Sequence, residues 1–137
     1  ETLALRMEKH VANAEVVANY LHNHAKVSWV SYAGLEASNY FHLAKKYLPK
    51  GAGSVFTFGI KGGYDAGVKF VEKCQLLSHL ANIGDTRSLV LHPASTTHRQ
   101  LTETQRISAG AGDDVIRLSI GLETVEDIIA DLEQALR

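Results

Sequence analysis

Residues 2–24 carry one unbroken amphipathic stripe, and a helix of that length limits what the rest of the chain can build around it. Leu3, Met7, Val11, Ala14, Val17, Ala18 and Leu21 recur at helical spacing, while Glu8, Lys9, Asn13 and Asn19 lie off the stripe. At about 1.5 Å per residue such a helix spans roughly 35 Å, long for a small domain. A helix of this kind often runs from one domain into another. The chain also enters it at Glu1 with no lead-in, so we expect a piece of a longer protein.

The strand-like segments that follow are short. Val27–Tyr32 ends at Ala33-Gly34, and Ser54–Gly59 sets Val55, Thr57 and Gly59 opposite Phe56, Phe58 and Ile60. Ser88–His92 stops at Pro93, and residues 114–120 form a last run. Helical patterns cover residues 37–48, broken by Pro49-Lys-Gly-Ala-Gly53, and residues 64–73 after Gly62-Gly63. Residues 75–78 read as a short strand or the end of that helix, and residues 103–109 as a short helix at best. The final helix carries Val125, Ile128, Ile129, Leu132 and Leu136 on one stripe, with Thr124 and Asp127 placed for a capping box. Many gaps between strands are too short for helical crossovers. The expected class is therefore α+β, with helices on one face of a largely antiparallel sheet.

One domain spanning residues 1–137 fits this length. The net charge of -1, with acids and bases interspersed, argues against a nucleic-acid face or a patch for anionic membranes. No apolar run approaches a membrane span. Cys74 is the only cysteine, which excludes an internal disulfide and makes a reducing, cytoplasmic setting the default.

Arg117 is the residue whose placement asks for an explanation. In Asp114-Val-Ile-Arg-Leu-Ser-Ile-Gly121, alternation puts Val115, Arg117 and Ser119 on one face and Ile116, Leu118 and Ile120 on the other. A cation in the middle of an apolar run is costly to bury unless an anion meets it. Either Arg117 lies on the wet face of a half-buried strand, or it is aimed at a carboxylate. The strand alone leaves both open.

Other candidates are weaker. Gly51-Ala-Gly53 precedes a strand and Gly59-Ile-Lys-Gly-Gly63 lacks phosphate-loop spacing, so both read as turns. None of the seven histidines forms a ligand set of familiar spacing, although His92 and His98 flank a proline turn and could converge on zinc. Cys74 has no base beside it and reads as a core thiol. Asp113-Asp114 precede a strand and read as solvated turn residues. The turn His92-Pro-Ala-Ser-Thr-Thr-His98 can hold an anion or satisfy itself through Ser/Thr turns.

Order across the second half narrows the choice. Asn82-Ile-Gly-Asp-Thr-Arg-Ser-Leu-Val-Leu-His-Pro-Ala-Ser-Thr-Thr-His98, then Val115-Ile-Arg-Leu-Ser-Ile-Gly-Leu-Glu123, then an acidic amphipathic helix, resembles the C-terminal domain of the Cys/Met-metabolism family of pyridoxal-phosphate enzymes. The resemblance covers essentially the whole chain. Glu1 to His10 resembles the family helix that leaves the large domain, and Tyr32-Ala-Gly-Leu35 the family's Tyr-Pro-Gly-Leu. Lys45 to Gly53 and Ser78 to Asp85 are most similar to the O-acetylhomoserine sulfhydrylase branch, with Asn82 where many relatives carry serine.

The resemblance implies the small domain of a fold-type I enzyme, with residues 1–24 leading from the large domain. It implies that Arg117 grips the α-carboxylate of an amino-acid substrate, that Thr97 adds a hydroxyl and that Asn82 adds an amide or backbone contact. The reaction implied joins O-acetyl-L-homoserine to sulfide or methanethiol, giving homocysteine or methionine plus acetate, in a parent enzyme expected to be a homotetramer. No lysine here stands in the family's cofactor motif, which has serine and threonine just before the lysine. The chain alone is therefore expected to supply no catalytic residue and no metal ligand, to hold no cofactor tightly and to be inactive. A free-standing module that binds a small carboxylate or a protein is the alternative.

Overall fold

Five short strands form one sheet in the order β1-β2-β5-β4-β3 in the computed structural model, which describes residues 1–137. They are β1 (Val27–Ser31), β2 (Val55–Ile60), β3 (Ser78–His79), β4 (Leu89–Leu91) and β5 (Val115–Ser119). The pairs β1–β2, β2–β5 and β4–β5 are antiparallel, and β3 lies parallel to β4. The helices are α1 (Leu3–His22), α2 (Phe41–Tyr47), α3 (Gly63–Lys73), α4 (Glu103–Ser108) and α5 (Val125–Leu136). The mixed class and the mostly antiparallel sheet agree with the expectation drawn from the short gaps between strands. No helix is long and apolar enough to cross a membrane.

Period-two patterning decides where the core lies. Phe56, Phe58, Ile60, Val90, Ile116, Leu118 and Ile120 are all buried in one cluster with residues of α1, α3 and α5. Phe58 meets Phe70 of α3 edge to face at 5.7 Å between centroids. The stripe of α1 is buried only in part: Ala14, Val17, Ala18 and Leu21 are inaccessible, whereas Leu3 is 62% exposed, as is its off-stripe neighbour Leu5 at 69%. A helix of 20 residues outruns strands of five or six, so its first turns project past the sheet. The helix expected over 37–48 starts later, at Phe41, because residues 32–40 form successive turns.

Two polar knots tie the layers. In the first, the Asp131 carboxylate on α5 accepts the backbone N–H of Gln75 (2.8 Å), Leu76 (2.9 Å) and Leu77 (3.0 Å) and the amide of Gln134 (2.9 Å). Burial works against its charge, but these donors outweigh that and hold its pKa below the usual carboxylate range. The knot fixes the segment that leaves α3 and leads into β3.

The second knot lies where α1 crosses the exit of β5. His10 Nδ1 donates to Ile120 O at 2.6 Å, and Asn13 donates to Gly121 O and Glu123 O at 3.0 and 2.9 Å. The Glu123 carboxylate accepts the Ser88 N–H (2.6 Å) and hydroxyl (2.8 Å), and Ser88 Oγ accepts the Gly121 N–H (2.9 Å). A Cβ on Gly121 would strike Thr86 O and lie 2.5 Å from the Arg87 carbonyl carbon and from Glu123 Oε2. Glycine is required there by the crossing chain.

Capping differs from expectation. Thr124 makes no side-chain cap, and Asp127 bonds only through its backbone N–H to Thr124 O. The capping box lies instead on α4, between Thr102 and Gln105, where the longer Gln side chain reaches back to the Thr102 N–H.

Two stability predictions follow from the knots. Each Asp131 oxygen takes two donors, so Asp131→Asn leaves buried N–H groups unmatched and should cost about 2–4 kcal/mol in urea unfolding at pH 7. Because the folded pKa is depressed, that contribution is complete above the unfolded value of about 4 and disappears as pH falls through the folded one. The gap between wild type and variant should therefore narrow in acid, and a gap constant with pH contradicts the account. Gly121→Ala should destabilise by about 1–3 kcal/mol or more, since backbone atoms must move; an unchanged midpoint would mean the crossing is loose.

Candidate functional site

Away from the helical core, the opposite sheet face is organised by register. Ser31, Thr57, Arg117 and Leu91 form one row across β1, β2, β5 and β4. On one side runs the row Val55, Ser119 and Leu89, and on the other Trp29, Gly59 and Val115. Trp29 lies over Gly59, which has no side chain to obstruct it, and donates Nε1–H to Asp114 at 2.9 Å.

This face is not simply wet. Val115, Ser119, Leu89 and Leu91 are buried, and Arg117 is half-buried among them. Yet Arg117 has no ion pair and no side-chain hydrogen bond: the chain's pairs are His24–Glu133, Arg87–Asp85, Arg106–Asp113 and Arg137–Glu133. A guanidinium in a partly closed apolar setting with no anion of its own is an arrangement that favours an incoming carboxylate. Thr57, directly opposite on β2, makes no side-chain hydrogen bond either, so an unpaired hydroxyl shares the face with the guanidinium.

Thr97 and Asn82 reach this region by topology. Because β3 and β4 are parallel, the chain leaves both at the same end of the sheet. Asn82 sits in the loop after β3 and Thr97 in the turn after β4, and both are exposed. Their side chains are engaged locally: Asn82 Oδ1 accepts the Ile83 N–H at 2.8 Å, and Thr97 Oγ1 pairs with His98 Nδ1 at 2.8 Å. No hydrogen bond links Asn82, Thr97 and Arg117 to one another.

The turn after β4 satisfies itself up to residue 96. His92 Nε2 lies 2.8 Å from Asp113 O, and a carbonyl can only accept, so that nitrogen carries the proton. Nδ1 then accepts the Ser95 hydroxyl at 2.9 Å, and Thr96 Oγ1 donates to His92 O at 2.8 Å. The ring packs edge-on to Tyr64 at 5.2 Å and against Gly67, where a Cβ would lie 2.6 Å from it. His92 thus commits both nitrogens to the protein, leaving none to share with His98.

The Asp113-Asp114 pair departs from the sequence reading. Asp113 accepts Arg106 Nη2 at 2.9 Å and Asp114 accepts Trp29, so both carboxylates brace the entry to β5. Cys74 is half-buried with its thiol on Phe70 O, and burial pushes its pKa up to about 12, which keeps it protonated. In the loop before β4, Asp85 accepts the Arg87 side chain and N–H, and these bonds hold its carboxyl down at about 2. Sequence reasoning assigned no role to Asp131, Glu123 or Asn13. For Asp131 a signal existed: it lies three residues after Ile128, on the buried stripe of α5.

All eight lysines are exposed and none belongs to a strand; the Lys61 ammonium donates to Ala25 O at 2.8 Å.

Residues 1–137 match the family model described as Cys/Met metabolism PLP-dependent enzyme. The chain is 55% identical over 136 residues to a homocysteine synthase of Schizosaccharomyces pombe, covering 99% of this chain and 32% of that protein. It is 51% identical to an O-acetyl-L-homoserine sulfhydrylase of Leptospira meyeri, covering 100% of this chain and 31% of the relative. A Campylobacter jejuni protein assigned as an O-acetylhomoserine (thiol)-lyase, solved with a pyridoxyl-lysine monophosphate, superposes with a TM-score of 0.91 at 46% identity. That match covers 98% of this chain and 32% of the solved one. The chain thus spans about a third of the length of these relatives. It belongs to the Cys/Met-metabolism family of PLP-dependent enzymes.

Proposed function

We propose that this chain is the substrate-carboxylate-binding, C-terminal small domain of a fold-type I sulfhydrylase. The parent enzyme would convert O-acetyl-L-homoserine plus sulfide or methanethiol to homocysteine or methionine plus acetate, a carbon–sulfur bond-forming transfer. One observation carries the reading: Arg117 is half-buried in the central strand without an anionic partner. Relatives with sulfhydrylase and homocysteine synthase activity in their names support the substrate class.

In this reading the planar guanidinium takes both oxygens of the α-carboxylate, which fixes the amino acid's orientation as well as its affinity. Thr97 and Asn82, at the same end of the sheet, would supply a hydroxyl and an amide once a ligand competes with their local bonds. Pyridoxal phosphate, held mainly by the remainder of the parent enzyme, would supply the electron sink that lets acetate leave. The projecting first turns of α1, with Leu3 and Leu5 in solvent, support a helix that continues into a larger neighbour. The apolar patch of Tyr40, Leu43, Tyr47 and Leu48 on and beside α2 is compatible with burial in a homotetrameric, cytoplasmic parent enzyme.

Two measurements test this reading. In the full-length protein, Arg117→Lys keeps the charge and loses the fork, so KM for O-acetylhomoserine should rise by the equivalent of about 1.5–3 kcal/mol; unchanged kinetics would sink the carboxylate role. Borohydride reduction of the parent holoenzyme, followed by peptide mapping, should find the pyridoxyl label on none of the lysines of residues 1–137. A label on any of them would overturn the division of labour.

A further inference from the structure

Ser119 is chemically unexplained. Two buried side-chain polar atoms lack any hydrogen-bond partner, Arg106 Nε and Ser119 Oγ. The Arg106 guanidinium has other bonds, to Leu101 O and Asp113. The Ser119 hydroxyl has none, although the residue is only 3% exposed. An unpaired buried hydroxyl is destabilising, and alanine would fill the same place without that penalty.

Its surroundings leave few partners. The side chains paired with it across the sheet are Val55 and Leu89, both apolar. Along β5 the next residue on the same face is Arg117, two positions away, which puts the two Cα atoms about 6.6 Å apart. An extended arginine side chain spans that distance. Arg117 carries five N–H donors and spends none of them on another side chain. A donor-only group without an acceptor and a hydroxyl without a donor therefore stand beside each other on one face.

We propose that Ser119 is a positioning residue for Arg117. Its Oγ accepts an N–H from one edge of the guanidinium when a carboxylate takes the other edge. The fork is then held in one direction, and the hydrogen bond gained on binding offsets part of the cost of ordering the arginine side chain. The proposal rests on the reading of Arg117 as the carboxylate anchor, and it adds a residue outside the set formed by Arg117, Asn82 and Thr97.

The experiment uses the full-length holoenzyme with Ser119→Ala and Arg117→Lys in parallel. KM and kcat are measured with O-acetyl-L-homoserine. Binding of L-methionine and of its decarboxylated amine is followed through the absorbance of the bound cofactor. Ser119→Ala should raise KM and weaken methionine binding by roughly ten- to 150-fold, the range of one hydrogen bond to a charged group. It should leave kcat little changed, leave amine binding unchanged and not lower the melting temperature. Unchanged KM in Ser119→Ala beside a raised KM in Arg117→Lys overturns the role of Ser119 and leaves the carboxylate reading intact. Equal weakening of methionine and the amine reduces Ser119 to a packing residue and also overturns it. Unchanged kinetics in Arg117→Lys removes the carboxylate reading, and the Ser119 proposal with it.

Discussion

The central strand β5 is asked to do two incompatible things, and the rest of the fold follows from that conflict. Its even-numbered positions, Ile116, Leu118 and Ile120, are fully buried under α1, α3 and α5. Its odd-numbered positions hold Arg117 between Val115 and Ser119, both nearly inaccessible. Because the side-chain period is two, the strand cannot slip by one residue without driving a guanidinium into the helical core. Register is thereby fixed from both sides. The paired strands β2 and β4 inherit it, and Thr57 and Leu91 fall beside Arg117 as a result.

The polar knots keep that strand in place. His10 and Asn13 tie α1 to the exit of β5, and Ser88 and Glu123 tie the same point to the start of β4. Asp131 does the equivalent for the segment between α3 and β3. The backbone groups they meet, at residues 75–77, 88 and 120–123, lie at loop junctions, where donors and acceptors have no ladder partner and must be met by side chains. The loops that carry Asn82 and Thr97 thus leave a braced sheet edge while their own tips remain exposed, which suits segments that engage a ligand.

How much of this was legible in the sequence depends on the kind of signal. Alternation in residues 55–60 and 115–120 placed the core face correctly, because burial at every second position leaves a local pattern. The carboxylate role of Arg117 was not legible that way, since the same strand suits a wet-face arginine equally well. Only the order of Asn82, Thr97 and Arg117, read as a family resemblance, favoured one side. Other features were illegible because they depend on partners far away in the chain. Glu123 meets Ser88 across 35 residues, and Asp131 meets Gln75 across 56. The spacing of Thr124 and Asp127 suggests a capping box that does not form, whereas the longer Gln105 side chain closes one with Thr102 on α4.

The central claim is that Arg117 meets a substrate carboxylate. A crystal structure of the full-length enzyme with bound L-methionine tests it most directly. The account predicts both carboxylate oxygens on the Arg117 guanidinium at about 2.7–2.9 Å. A carboxylate held by another cation, with Arg117 still unpaired, would contradict it.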